Sequence, residues 1–166
     1  MCRHIQCGIC KEPIPCPFPC HHPGPRRPSY SATIAVKRCG FRSDIIRNPF
    51  GLAARRIEAI DPKEVCTSIV VAAELRYGCA KKGSAKLLAK VEGVLETIPV
   101  LPLDVPAAAE YGSIRAELEA AGQTIGLNDL LIGAHAYALG MTLVTDNIRE
   151  FNRIRGLSVE NWLEGR

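Results

Sequence analysis

Three acidic residues stand where a parallel β-sheet would bind a ligand. Glu74 is in the first turns of the helix that follows a predicted buried strand, and Asp129 is in the first turn of another predicted helix. Asp146 directly follows the predicted strand 141–145. Ligands bind outside the carboxyl ends of the strands in such sheets. Taken alone, each acid also has an ordinary explanation, as a solvated helix residue, a residue favoured by the helix dipole, or a turn former.

A second set of possible ligands lies near the start of the chain. Its members are Cys7, Cys10, Cys16, Cys20, His21 and His22. Thiolate and imidazole pairs two or three residues apart can bind one face of tetrahedral zinc. Only five residues separate the two cysteine pairs, however, and two of these are prolines, which stiffen the segment. A disulfide cluster would need an oxidising compartment, and a sequence read out of frame would explain the same composition.

Alternating strands and helices after residue 44 predict a scaffold for the three acids. Runs of β-branched residues favour strands at 65–69 and 141–145, and a further short candidate lies before this region at 32–36. Other strands are predicted within 157–163 and within 98–103, where prolines make the strand short or place it at a sheet edge. Helices are predicted over 52–60, 70–81, 84–97, 105–121 and 129–139, the last capped by Asn128, with a further helical turn at 148–154. This alternation predicts an α/β domain with a parallel sheet covered on both faces.

The net charge of +4 is unevenly distributed along the 166 residues. Residues 1–44 carry seven Lys and Arg against two acids, whereas residues 45–166 carry 14 against 15. The basic average is therefore poor evidence for nucleic-acid binding. No run of about 18 apolar residues is present, which excludes a membrane-spanning helix. We find no secretory signal and expect a cytoplasmic protein.

The segments around the three acids carry a family pattern. In chain order they are AAELRYG (72–78), IGLNDLLIGAHA (125–136) and LVTDNIREF (143–151). In this order and spacing they resemble the PIN-domain ribonucleases of the VapC toxin family. The ending LSVENW (157–162) is also similar to family endings. The resemblance covers residues 43–163.

That resemblance implies a three-layer α/β/α domain with a mostly parallel sheet, and an acidic site that binds Mg²⁺ or Mn²⁺ and cuts RNA. The implied catalytic and metal-binding residues are Glu74, Asp129 and Asp146, with Glu74 also a candidate for activating water. The expected substrate contacts are Thr145, Asn147 and Arg149, although the arginine could instead belong to a solvated basic surface. Hard oxygen ligands suit Mg²⁺, which can generate hydroxide and neutralise charge on a phosphate.

The chain departs from the family pattern at its first acid. The family places an aspartate at the end of the first strand, in a motif like Leu-Asp-Thr-Asn, which should occupy 37–40. Those positions read Lys-Arg-Cys-Gly, so Arg38 stands at the aspartate position. A cation there opposes metal binding. We hypothesise that a frameshift or wrong start made residues 1–42 an atypical tail, disordered or out of frame, before a PIN-like domain at 43–166 whose first strand is abnormal or missing.

The resemblance further implies an RNA substrate, a VapB-like antitoxin that neutralises the chain, and a homodimer. Two other functions stay open. A PIN fold without its first aspartate could bind RNA or antitoxin without cutting, and metal-dependent RNA cleavage would separate the two. The Cys/His tail could make the chain a zinc-binding nucleic-acid adaptor, which stoichiometric zinc lost on Cys7→Ser and Cys10→Ser would support.

We expect the Arg38→Asp variant to cleave RNA with Mg²⁺ faster than the unsubstituted chain, because it replaces a cation with a metal ligand. An RNA turnover assay at fixed Mg²⁺ measures the difference, and equal activity of the two proteins would contradict the prediction. The frameshift hypothesis has its own test. Another reading frame just upstream of the Ser43 codon should encode a strand that ends in aspartate.

Overall fold

The computed structural model describes residues 33–35, 55–56, 59 and 64–163. Several features predicted from the sequence lie outside these residues. They are the Cys/His tail, the positions 37–40 with Arg38, and most of the helix predicted at 52–60.

The described residues form one sheet of five short strands. These are β1 (Thr33–Ala35), β2 (Val65–Ser68), β3 (Val100–Leu101), β4 (Thr142–Val144) and β5 (Val159–Glu160). The strand order is β3-β2-β1-β4-β5, and every neighbouring pair is parallel. The sequence pattern suggested that the first strand is abnormal or missing. A three-residue β1 is present at the centre of the sheet, where Ile34 pairs with both Cys66 and Leu143.

Five helices accompany these strands in the described part of the chain. They are α1 (Ile69–Lys82), α2 (Ala85–Thr97), α3 (Val105–Ala120), α4 (Leu127–Ala138) and α5 (Ile148–Phe151). The four longer helices begin and end within two residues of the bounds expected from the sequence. The alternation of strands and helices confirms the predicted α/β fold of PIN-like type. None of these helices has both the length and the apolar character that crossing a bilayer requires.

Side-chain caps fix the starts of the first three helices. Ser68 Oγ accepts a hydrogen bond from the Val70 amide at 3.2 Å, and Ser84 Oγ accepts one from the Leu87 amide at 3.2 Å. Asp104 Oδ1 accepts from the amide of Ala107 at 3.0 Å. Such caps satisfy amides that have no partner within the helix, and each stabilises the helix by about 1 kcal/mol. The capped end of α1 directly follows β2, so this helix leaves the carboxyl edge of the sheet.

Close packing at Gly133 holds α4 against the segment that follows β4. A Cβ atom on Gly133 would overlap Ile154 Cδ1 and would lie 3.5 Å from Phe151 Cδ1. Both neighbours are buried, so neither can move aside without disturbing the core. Gly133 is one helical turn beyond Asp129, and Phe151 is five residues beyond Asp146. The glycine therefore allows two acid-bearing segments to approach each other.

We expect Gly133→Ala to lower the free energy of unfolding by about 1–3 kcal/mol, because the added methyl group overpacks a buried contact. Gly112→Ala in α3 is the matched control, since a Cβ atom there meets nothing within 4 Å. That substitution should raise the free energy of unfolding by about 0.5–1 kcal/mol, because alanine is the better helix former. Urea denaturation followed by circular dichroism measures both. Equal effects of the two substitutions would contradict the close approach.

Candidate functional site

A hydrogen bond joins Glu74 of α1 to the beginning of α4. Glu74 is half-buried, and its Oε1 accepts from Asn128 Nδ2 at 2.6 Å, across 54 residues of sequence. Asn128 immediately precedes Asp129. The structure thus brings one predicted site residue beside the residue next to another, as expected for groups at the carboxyl edge of a parallel sheet.

The role of Asn128 differs from the one expected from the sequence. An asparagine before a helical pattern is typical of an N-cap, and the sequence predicted that Asn128 caps its helix. That prediction is wrong, because α4 begins at Leu127 with Gly126 as its N-cap. Asn128 lies inside the helix, where its side chain is free to bond Glu74 instead of the local backbone. Only the position of α1 reveals this contact, so sequence reasoning missed it.

Asp129 is a buried carboxylate in the first turn of α4. Its relative exposure is 5%, and a Cβ atom on Gly126 would lie 3.6 Å from its Oδ2. The amino end of a helix favours a negative charge, which partly offsets the cost of removing the carboxylate from water. Acidic residues are rarely buried to this degree unless they are paired or bind a cation. Its burial therefore sets Asp129 apart from a solvated helix residue.

The turn after β4 presents buried polar atoms at the same end of the strand. Thr145 is fully buried, and its Oγ1 accepts from the Asn147 amide at 3.0 Å. In the described part of the chain, Asp146 Oδ1 accepts no hydrogen bond and Asn147 Nδ2 donates none, although both atoms are buried. Buried polar atoms normally have a partner. The turn after β4 thus offers a ligand one hydrogen-bond acceptor, Asp146 Oδ1, and one donor, Asn147 Nδ2.

The other predicted substrate residues have unequal access to a ligand. Arg149 is exposed on α5, three residues after Asp146, where its guanidinium can reach a phosphate. Thr145 has no exposed surface and shapes the turn through its hydroxyl group. Direct substrate contact by either residue stays a prediction.

The described residues do not assemble the three acids into a compact set of ligands. Among residues 64–163, no three His, Cys, Asp or Glu side chains lie close enough together to hold a metal ion. Three carboxylates repel one another, and a shared cation is what lowers that repulsion. The carboxylate oxygens of the three acids are hard ligands, the type that Mg²⁺ and Mn²⁺ prefer. Two observations therefore support a divalent cation at these residues: the carboxylate oxygens are of the type that such ions prefer, and Asp146 Oδ1 is buried without a hydrogen bond from the described residues.

His135 lies on α4 but takes no part in this set. It is 1% exposed, and its Nδ1 is 3.0 Å from the fully buried Ser68 Oγ. Burial lowers the pKa of His135, and the negative charge of Asp104 opposes that effect more weakly. The imidazole is therefore neutral at pH 7. Its burial and its contact with Ser68 are those of a packed core histidine.

Comparison with known proteins identifies the family. A model of the PIN domain matches residues 45–157. Ribonuclease VapC2 of Haemophilus influenzae is 40% identical over 101 residues, which cover 60% of this chain and 76% of that protein. The chain belongs to the VapC family of PIN-domain proteins. The tRNA(fMet)-specific endonuclease VapC of Salmonella typhimurium is 39% identical over 104 residues, covering 62% of this PIN-domain chain and 79% of the relative.

Solved structures of the VapC family share the fold. DNA-bound VapBC from Salmonella typhimurium matches with a TM-score of 0.71 and 33% identity, over 79% of this chain and 98% of that chain. VapBC2 from Rickettsia felis, bound to a fragment of promoter DNA, matches with a TM-score of 0.69 and 35% identity, over 78% and 99% of the two chains. These matches confirm the family and the fold that the three acidic segments predicted.

Proposed function

We propose that this VapC-family chain is a metal-dependent endoribonuclease and the toxin of a toxin–antitoxin system. The observation that carries the proposal is the buried Asp146 Oδ1 at the carboxyl end of β4, which accepts no hydrogen bond within the described residues. The buried Asp129 and the Asn128-bound Glu74 belong to the same proposed site. The relatives named ribonuclease and tRNA(fMet)-specific endonuclease support RNA as the substrate class.

The three acids would have different roles around a divalent cation. Asp129 and Asp146 would hold Mg²⁺ or Mn²⁺, directly or through water, because hard carboxylate oxygens are the ligands these ions prefer. When bound, the ion would supply a nucleophilic hydroxide and neutralise charge that develops on the phosphate. Glu74 would hold the ion or take a proton from the attacking water, and Asn128 orients its carboxylate for either role.

Two donors near Asp146 would bind the substrate. A phosphodiester is anionic, so a site lined by carboxylates needs positive charge or hydrogen-bond donors that face the phosphate. Asn147 Nδ2 is a buried donor that is not used by the described residues. Arg149 is exposed and positively charged, and it lies one short helix turn away. Thr145 would act through the shape of the turn.

The proposal includes a partner and a location. The solved relatives from Salmonella typhimurium and Rickettsia felis are VapBC complexes, which supports a VapB-like antitoxin as the partner of this chain. A ribonuclease toxin acts where cellular RNA is found, so the proposal places the chain in the cytoplasm. A homodimer remains a prediction from the family resemblance.

We expect Asp146→Asn to reduce Mg²⁺-dependent RNA cleavage by about 100-fold or more, because it removes the charge of a metal ligand and keeps its size. The assay follows turnover of tRNA by the unsubstituted chain and by Arg38→Asp, since Arg38 stands at the position of the first family aspartate. The matched control is Glu96→Gln, an exposed acid on α2, which should leave the rate unchanged. Cleavage that survives Asp146→Asn or EDTA would contradict the proposal.

A further inference from the structure

Two hydrogen bonds link α1 and its N-cap residue Ser68 to α4, and their spacing shows how the two helices lie. Ser68 bonds His135, and Glu74 bonds Asn128. Glu74 lies six residues after Ser68 on the α1 side. On α4, its partner Asn128 lies seven residues before His135, the partner of Ser68. At about 1.5 Å of rise per residue, both intervals are close to 10 Å. The helices therefore run antiparallel between the two bonds, with Val71 and Ile132 in the same buried core cluster.

The two bonds differ in their surroundings. Ser68 and His135 are 0% and 1% exposed, whereas Asn128 is exposed. A hydrogen bond in a low-dielectric interior is stronger than one that competes with water, and breaking it leaves a buried polar group unpaired. Breaking the buried bond would leave polar groups unpaired away from water, so this bond opposes sliding of the two helices. A slide of one residue, about 1.5 Å, would lengthen and misalign it.

The helix cap leaves the serine proton free for the buried bond. Ser68 Oγ accepts a hydrogen bond from the Val70 amide, so its own proton can be donated to His135 Nδ1. That arrangement needs an imidazole without a proton on Nδ1, which agrees with the lowered pKa of the buried ring. The backbone of α1, the serine hydroxyl and the ring on α4 then form one continuous chain of hydrogen bonds.

We propose that Ser68 and His135 are positioning residues for the acidic site, and that their buried hydrogen bond fixes the register of α1 against α4 and thereby the separation of Glu74 from Asp129. The inference rests on the proposed function, in which both acids serve one divalent ion. Neither Ser68 nor His135 would touch the ion or the RNA. Their effect would pass through the two helices that carry the ligands.

The test measures Mn²⁺ affinity of the full chain by the loss of the free-ion EPR signal, together with the thermal midpoint. It is carried out in the unsubstituted chain and in Arg38→Asp. We expect Ser68→Ala and His135→Leu each to weaken Mn²⁺ binding by about tenfold, the size typical of residues that orient metal ligands. Ser68→Thr keeps the hydroxyl and His135→Asn keeps an acceptor near Nδ1, so these variants should retain most of the affinity. The double variant Ser68→Ala, His135→Leu should bind no more weakly than the weaker single variant, because both remove one interaction.

Val91→Ala separates positioning from general loss of stability. Val91 is 1% exposed and packs in a different cluster, with Ala72, Cys79 and Leu95. This variant should lower the thermal midpoint and leave Mn²⁺ affinity unchanged. The inference is overturned if His135→Leu binds Mn²⁺ normally, or if Val91→Ala weakens binding as much. If neither the unsubstituted chain nor Arg38→Asp binds Mn²⁺, the proposed function fails together with the inference.

Discussion

Parallel pairing of β1 with β2 on one side and β4 on the other brings the carboxyl ends of the three strands to one edge of the sheet. The helix that carries Glu74 starts at the end of β2, and Asp146 lies two residues beyond the end of β4. The helix that carries Asp129 leads into β4. Each acid is thus attached to the backbone near that edge, so the geometry of the site follows from the sheet.

Local packing fixes the position of each acid, although the described residues do not bring the three together as a complete metal site. Asp129 lies at the amino end of a helix, Glu74 receives a hydrogen bond from Asn128, and the Asp146 turn is closed by Thr145. Gly133 lets α4 and the segment after β4 approach closely. A divalent cation bound at these residues would neutralise the negative charge of the acidic side chains.

Local signals predicted most of the fold. The helix predicted over 84–97 spans Ala85–Thr97, and the strand predicted within 98–103 is only two residues long and lies at the edge of the sheet. These features are determined by residues that are adjacent in sequence, so they can be predicted from a single sequence. The contact of Asn128 with Glu74 spans 54 residues, and the tight fit at Gly133 depends on side chains from another segment. Neither leaves a local pattern, so the sequence predicted a cap at Asn128 and nothing at Gly133. The three acids were identified through the segments around them, and their metal-binding roles stay predictions.

Anomalous scattering from crystals of the Arg38→Asp chain soaked in Mn²⁺ tests the central claim most directly, because it locates the ion among its ligands. We expect a manganese peak at the carboxyl edge of the sheet, in direct or water-mediated contact with Asp129 and Asp146. A saturating soak that leaves this edge without manganese, or that places the ion only on the cysteines and histidines before residue 23, would contradict it.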